Sequence, residues 1–191
     1  MQNTVSNIPC PPNDPIYSYA PGSPERALLE EALQQAGSEQ VTIPVVIGGQ
    51  RIETGKTGSC IEPHDHGHVL ATYHKAGPAE VALAIEASIE AKAEWEALPA
   101  TARASVFLKA AELLRTKSRY RLNAVTMLSQ SKNAYQAEID SACELIDFWR
   151  FNAYYMQELY AQQPDYSPVG MLNFLEHRPL EGFVFAVSPF N

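Results

Sequence analysis

Residues Gly182 to Val187 read Gly-Phe-Val-Phe-Ala-Val, an almost wholly apolar run followed at once by Ser188-Pro189-Phe190-Asn191. A run this short and this uniformly apolar fits a strand buried on both faces, as in a parallel sheet covered by helices. Such a strand needs neighbours, because its backbone donors and acceptors must be paired. The remainder of the chain does not obviously supply them. It reads as a strand-rich start, three or four helices and one more extended stretch, an α/β pattern with too few strands to close a sheet. The expectation is an incomplete parallel sheet with packed helices, whose missing part is structural as well as chemical.

The order of elements can be read from punctuation and period. Residues 1–24 are rich in Pro, Asn, Ser and Gly, as in Pro11-Pro12-Asn13-Asp14-Pro15, and predict an extended arm lying on something. Ser23 suits an N-cap and Pro24 a first helical position, with Gly37 as the stop. Val41 to Ile52 reads as two short strands around Gly48-Gly49, and Ser59 to Ala76 as further extended structure broken at Asp65 and Gly67. From Pro78 the period becomes helical: Val81, Ile85, Ile89 and Ala93 share a face, and Leu98-Pro99 ends it. Thr101 caps a helix with Val106, Phe107, Ala110, Leu113 and Leu114 as its stripe. Leu122 to Leu128 predicts a short helix, and Ala134 to about Gln162 the longest one. Val169 to His177 is extended again.

Charge and cysteine content exclude several classes. Lys and Arg number 14 against 22 Asp and Glu, a net charge of −8 with no basic cluster. That balance disfavours nucleic acid and anionic membranes as partners. Cys10, Cys60 and Cys143 are far apart and odd in number, without zinc spacing or a disulfide framework, which suits a reducing compartment. The first residues lack a signal-peptide core, and the first arginine is Arg26. A cytoplasmic location is expected, or the mitochondrial matrix had a transit peptide been removed.

Three patches carry possible chemistry. Ser188-Pro189-Phe190-Asn191 leaves a strand end, where ligands collect in open α/β sheets. A side-chain amide there can donate to an oxyanion, although the same four residues also suit a plain turn. Ser129-Gln-Ser-Lys-Asn-Ala-Tyr-Gln-Ala-Glu-Ile-Asp140 offers Glu138 on a helix, where a solvated face is the ordinary reading. His64-Asp-His-Gly-His68, with His74 nearby, places imidazoles on alternate positions. No thiol or carboxylate set completes a metal site and Gly67 interrupts the strand, so an exposed turn without metal is expected. Cys143 falls on an apolar stripe and reads as a core residue. No Gly-x-Gly-x-x-Gly fingerprint occurs.

The string Arg178-Pro-Leu-Glu-Gly-Phe-Val-Phe-Ala-Val-Ser-Pro-Phe-Asn191 resembles the aldehyde dehydrogenases. Within that family it is similar to the Δ1-pyrroline-5-carboxylate (L-glutamate γ-semialdehyde) dehydrogenase branch. Ser18 to Arg26, Phe107 to Ala111, Gln136 to Asp140 and Asp147 to Asn152 resemble the same branch, in family order. Ser129 and Ser131 depart from it, standing where glycines are frequent, and Gly170 to Phe174 matches less well.

The resemblance implies the amino-terminal part of an NAD-dependent enzyme of proline breakdown. Its expected parts are an arm over 1–24, helix and strand portions of the NAD-binding domain over 25–168, an oligomerisation strand over 169–178, and the first buried core strand over 179–191. It implies Asn191 as an oxyanion donor, Ser188, Pro189 and Phe190 beside the nicotinamide, and Glu138 near the substrate's α-ammonium. The nucleophilic cysteine and general base of the family lie farther along than this chain reaches, so the chain alone is expected to be inactive. The parent enzyme is expected to be a homo-oligomer. Two alternatives stay open: another aldehyde dehydrogenase with a different substrate, and a non-catalytic piece that associates with full-length subunits.

Overall fold

A computed structural model describes residues 7–188. The chain is α/β, with helices packed beside a mixed sheet rather than a purely parallel one. Helix α1 spans Pro24–Ser38, and the Ser23 hydroxyl accepts from the Arg26 N–H at 3.3 Å, as the sequence predicts. It runs through Gly37 instead of stopping there. Strands β1 (Val41–Ile43), β2 (Val45–Ile47), β3 (Gln50–Ile52), β4 (Thr57–Glu62) and β5 (Asp65–His74) follow. β2 and β3 form a hairpin through Gly48-Gly49. Both glycines have positive φ, 55° and 78°, the conformation that a two-residue turn of this hand requires. The larger sheet has the order β1-β5-β4, with β1 parallel and β4 antiparallel to β5. The expected break near Asp65 is the turn at Pro63-His64, after which Asp65 opens β5; Gly67 lies within β5 rather than breaking it, and the β4 register shifts between Cys60 and Glu62.

The helical half begins with α2 (Pro78–Ala97), where Glu80 reaches back to the Gly77 N–H at 2.7 Å. α3 (Ala100–Leu113) continues into a π-helical turn, Leu114–Ser118, and then α4 (Arg119–Gln130). The predicted long helix is real but composite. A short α5 (Ala134–Ala137) opens it, a second π-helical stretch covers Glu138–Cys143, and α6 runs Glu144–Ala161. α3 packs along α6 through Ala111, Leu114 and Ile146, and α1 packs on α4 through Leu29, Ala124 and Tyr19. Fully buried alanines at 111, 124, 137 and 142 let the helices approach closely.

The predicted strands over Val169–His177 and Gly182–Val187 are not formed; residues 162–188 contain no strand or helix. Val184, Phe185 and Val187 are 72%, 81% and 77% exposed. The physical reason is the one the sequence poses. A strand exists only as part of a ladder, and no other segment among the described residues lies beside this one to pair with it.

Candidate functional site

Charged side chains normally stay in water, yet Arg119 is 1% exposed and Glu138 is 0% exposed. The two π-helical turns flank this pair: Arg119 follows the first directly, and Glu138 opens the second. Arg119 Nη2 donates to Glu138 Oε1, and its Nε lies 3.2 and 3.3 Å from the two carboxylate oxygens. The same guanidinium donates through Nη1 to Asp14 and through Nη2 to the Pro15 carbonyl at 2.6 Å. Glu138 also accepts from the Tyr17 N–H at 2.9 Å, the Tyr19 hydroxyl at 2.6 Å and Asn123 Nδ2 at 2.7 Å. The Tyr17 ring stacks on Arg119 at 4.1 Å.

This centre pins the amino-terminal arm. Asp14 accepts from Arg150 at 2.9 Å and meets Arg115 at 3.2 Å, while its own N–H donates to Asp147 at 2.7 Å. Asn13 donates to the other Asp147 oxygen, and the Ile8 N–H donates to Gln157 at 2.6 Å. The arm therefore lies on α4 and α6, held by ionic contacts that span more than a hundred residues of sequence. Burial opposes charge on Glu138, but hydrogen bonds from Arg119, Tyr19 and the Tyr17 N–H outweigh it and hold the carboxyl below its ordinary range. Burial and the Glu138 hydrogen bond push the Tyr19 phenol up. Arg119 stays firmly protonated: burial is opposed more strongly by its bonds to Glu138 and Asp14.

Glu138, read from the resemblance as a substrate contact, thus has both oxygens engaged by donors of this chain. A substrate ammonium would have to displace Arg119, Asn123 or Tyr19 to reach it. Sequence reasoning missed Arg119, Asp14, Asn123 and Tyr19. The predicted helix start at Leu122 left Arg119 outside, and Asp14 sits in a proline-rich stretch with no periodicity to mark it.

The other predicted site residues lie at the opposite end of the chain. Ser188 is exposed, at the end of the unpaired apolar segment. Pro189, Phe190 and Asn191 lie outside the described residues. The histidines converge on a carboxylate rather than on one another. Glu62 receives His64 Nε2 on one oxygen and His68 Nδ1 on the other, the latter at 2.5 Å. Among the described residues no group of three His, Cys, Asp or Glu is arranged to hold a metal. Cys143 is buried beside Arg119 Nη2 at 3.2 Å. Burial, with the nearby Glu138 charge, pushes its thiol up to about 12, which makes it a poor nucleophile. No described helix is long and apolar enough to cross a membrane.

Comparison with known proteins fits this frame. The aldehyde dehydrogenase family pattern matches residues 50–191. The chain is 50% identical over 186 residues to the mitochondrial Δ1-pyrroline-5-carboxylate dehydrogenase of Dictyostelium discoideum, covering 97% of this chain and 33% of that protein. It is also 50% identical over its whole length to the Agaricus bisporus Δ1-pyrroline-5-carboxylate dehydrogenase, covering 35% of it. The crystal structure of the Δ-pyrroline-5-carboxylate dehydrogenase from Mycobacterium tuberculosis superimposes with a TM-score of 0.97 at 44% identity. That match covers 100% of this chain and 35% of the other. The same enzyme bound with NAD gives 0.96. The chain spans about a third of the length of the relatives it matches. Its sequence, its fold and the path of its unpaired apolar end all agree with one assignment: this chain belongs to the aldehyde dehydrogenase family.

Proposed function

We propose that the chain is the amino-terminal part of an NAD-dependent dehydrogenase that oxidises L-glutamate γ-semialdehyde to L-glutamate in proline degradation. The observation that carries this reading is the superposition over the entire chain at 44% identity, with the exposed segment 179–188 included. In this reading the rest of the enzyme supplies strands on either side of Phe183–Val187, and the exposed apolar face becomes the middle of a sheet. Asn191, at the carboxyl end of that strand, donates its amide to the oxyanion formed when a cysteine thiolate adds to the aldehyde carbonyl. In this reading that cysteine and the general base belong to the rest of the enzyme; Cys143 is buried, and its thiol is pushed up to about 12.

The described residues do not form the phosphate-binding part of a dinucleotide site. No glycine-rich turn joins a strand to a helix among them. The contribution assigned to this chain is a wall beside the nicotinamide, made by Ser188, Pro189 and Phe190. We assign Glu138 two levels of role. Its charge centre holds the arm and the α5–α6 helix in place, and through that helix it shapes the side of the pocket meant for an amino-acid substrate.

The test is a polypeptide in which residues 1–191 replace the matching third of the Mycobacterium tuberculosis relative. NADH formation should be much faster with glutamate semialdehyde than with a simple aliphatic aldehyde, and Glu138→Gln should narrow that preference. A folded chimera that prefers the aliphatic aldehyde would overturn the substrate assignment and favour a different aldehyde dehydrogenase.

A further inference from the structure

Ser131, His64 and Glu62 form a hydrogen-bonded chain at the end of α4, and the proposed dehydrogenase chemistry uses none of them. Glu62 ends β4 with its side chain only 9% exposed. His64 Nε2 faces one of its carboxylate oxygens and His68 Nδ1 the other. A carboxylate has no proton to give, so His64 carries its hydrogen on Nε2. In the neutral ring that leaves Nδ1 as an acceptor. The Ser131 hydroxyl lies 2.8 Å from Nδ1 and is therefore the donor of that bond. A hydroxyl, a base that can take its proton and a carboxylate that orients the base are the parts of an activated nucleophile. The ring is turned end for end relative to the usual order, with Nδ1 rather than Nε2 toward the hydroxyl.

Two further observations set this serine apart from an ordinary surface hydroxyl. Ser131 ends α4 in the left-handed region, φ 56° and ψ 29°, where glycine is the residue that fits without strain. This chain keeps a side chain there, and strain of this kind collects at reactive sites. An apolar cavity of about 400 Å³ also lies along the seam between β4 and α4, lined by Val41, Cys60, Ala71, Val125, Leu128 and Ser129 among others. That volume suits a small ligand. Its two walls continue within two residues into the cluster, from Cys60 to Glu62 and from Ser129 to Ser131. Ser131 and His64 are both exposed, so an incoming molecule can reach the pair.

We propose that Ser131, His64 and Glu62 form an acyl-transfer site that takes activated esters of short apolar acids, with the acyl chain in the adjoining cavity. Ser131 Oγ attacks the ester carbonyl, and its proton passes to His64 Nδ1. The ester C–O bond then breaks, and the leaving oxygen takes that proton away as an alcohol or phenol. Water attacks the acyl-serine in turn, again through His64, and releases the acid; the net reaction is ester hydrolysis. Glu62 positions the ring and keeps its hydrogen on Nε2, while His68 holds the second carboxylate oxygen.

The test treats the 191-residue chain with p-nitrophenyl acetate and p-nitrophenyl hexanoate, times the release of p-nitrophenol, and locates acyl adducts by peptide mass spectrometry. An adduct should appear on Ser131 and should form faster from the hexanoate. Adducts on cysteines fall in other peptides and are counted apart. Ser131→Gly suits the left-handed backbone, so this variant should fold and lose the adduct. His64→Gln and Glu62→Gln should slow acylation of Ser131 at least roughly 10²-fold, the lower end of general-base catalysis. Glutamine at position 62 can donate to Nε2 and so turn Nδ1 into an N–H. His66→Gln should leave the rate unchanged. A wild-type chain without an adduct on Ser131 overturns the proposal, as does a His64→Gln chain acylated at the wild-type rate. Equal rates for the two esters overturn the cavity as the acyl pocket. Should a variant at 62 or 64 unfold, the wild-type labelling of Ser131 against Ser129 decides. Equal labelling of the two marks plain surface reactivity and is equally fatal.

Discussion

Replacing Arg119 with Met removes the only cation among the described residues that touches Glu138, while keeping most of the side-chain volume. The guanidinium is 2% exposed and both of its carboxylate partners are 0% exposed at the side chain, so solvent screening offers little relief. Asp14 keeps Arg150 at 2.9 Å. Glu138 keeps Tyr19, Asn123 and the Tyr17 N–H, but these are neutral donors. Removing one partner of a buried pair typically costs about 3–5 kcal/mol, a large share of the roughly 5–15 kcal/mol by which domains are stable. The sign with pH is fixed by Glu138. Its carboxyl is held low in the wild type, so its stabilisation is full above about pH 4.3 and fades as pH falls through the lower folded value. Without Arg119, burial acts with no cation against it, and the deficit should be largest at neutral pH and shrink toward about pH 4. Urea unfolding of wild type, Arg119→Met and Arg119→Met with Glu138→Gln measures this, and the double variant should recover part of the loss. A single variant within about 0.5 kcal/mol of wild type, or a deficit that does not change with pH, would refute the reasoning.

Ile146→Ala, at a site that is 0% exposed between α3 and α6, should cost about 2–5 kcal/mol in the same assay. A thiol reagent should label exposed Cys10 quickly and buried Cys143 only at the rate of unfolding; rapid labelling of Cys143 would contradict its burial. The chain alone should bind a hydrophobic dye in part through Phe183, Val184, Phe185 and Val187, and substituting these four with polar residues should weaken the signal; an unchanged signal would contradict their part in it. Purified by itself, it should form no aldehyde-dependent NADH; turnover abolished by changing one of its own cysteines would contradict that expectation.

Local signals are the part of this fold that the sequence expresses openly. Ser23 and Pro24 mark α1, Gly77 and Pro78 mark α2, and Gly48-Gly49 marks the first hairpin, each because a cap or a positive φ is a property of neighbours in sequence. What stays hidden depends on distant partners. Gly67 suggests a break, but cross-strand pairing keeps β5 intact through it. The ion pair is silent for the same reason. Arg119 and Asp14 are 105 residues apart, and a charged residue is exposed by default until a counterion is known to lie beside it. The π-helical turns that aim Arg119 and Glu138 leave no recognisable period. The apolar run 182–187 reads as a buried strand but forms none, because no described segment lies beside it to pair with it. The role proposed for Asn191 rests on family resemblance alone, since an amide after a proline and an aromatic residue is otherwise an ordinary turn.

The most direct test of the account is the turnover of Asn191→Ala in the chimera with the Mycobacterium tuberculosis relative, with NAD affinity measured separately. Loss of one oxyanion donor should lower kcat roughly 10²–10³-fold, about 2.7–4 kcal/mol, while NAD binding stays near wild type. Asn191→Asp should be slower still, because a carboxylate repels the charge that an amide stabilises. Near-wild-type turnover in Asn191→Ala would contradict the claim that this chain carries part of the catalytic machinery.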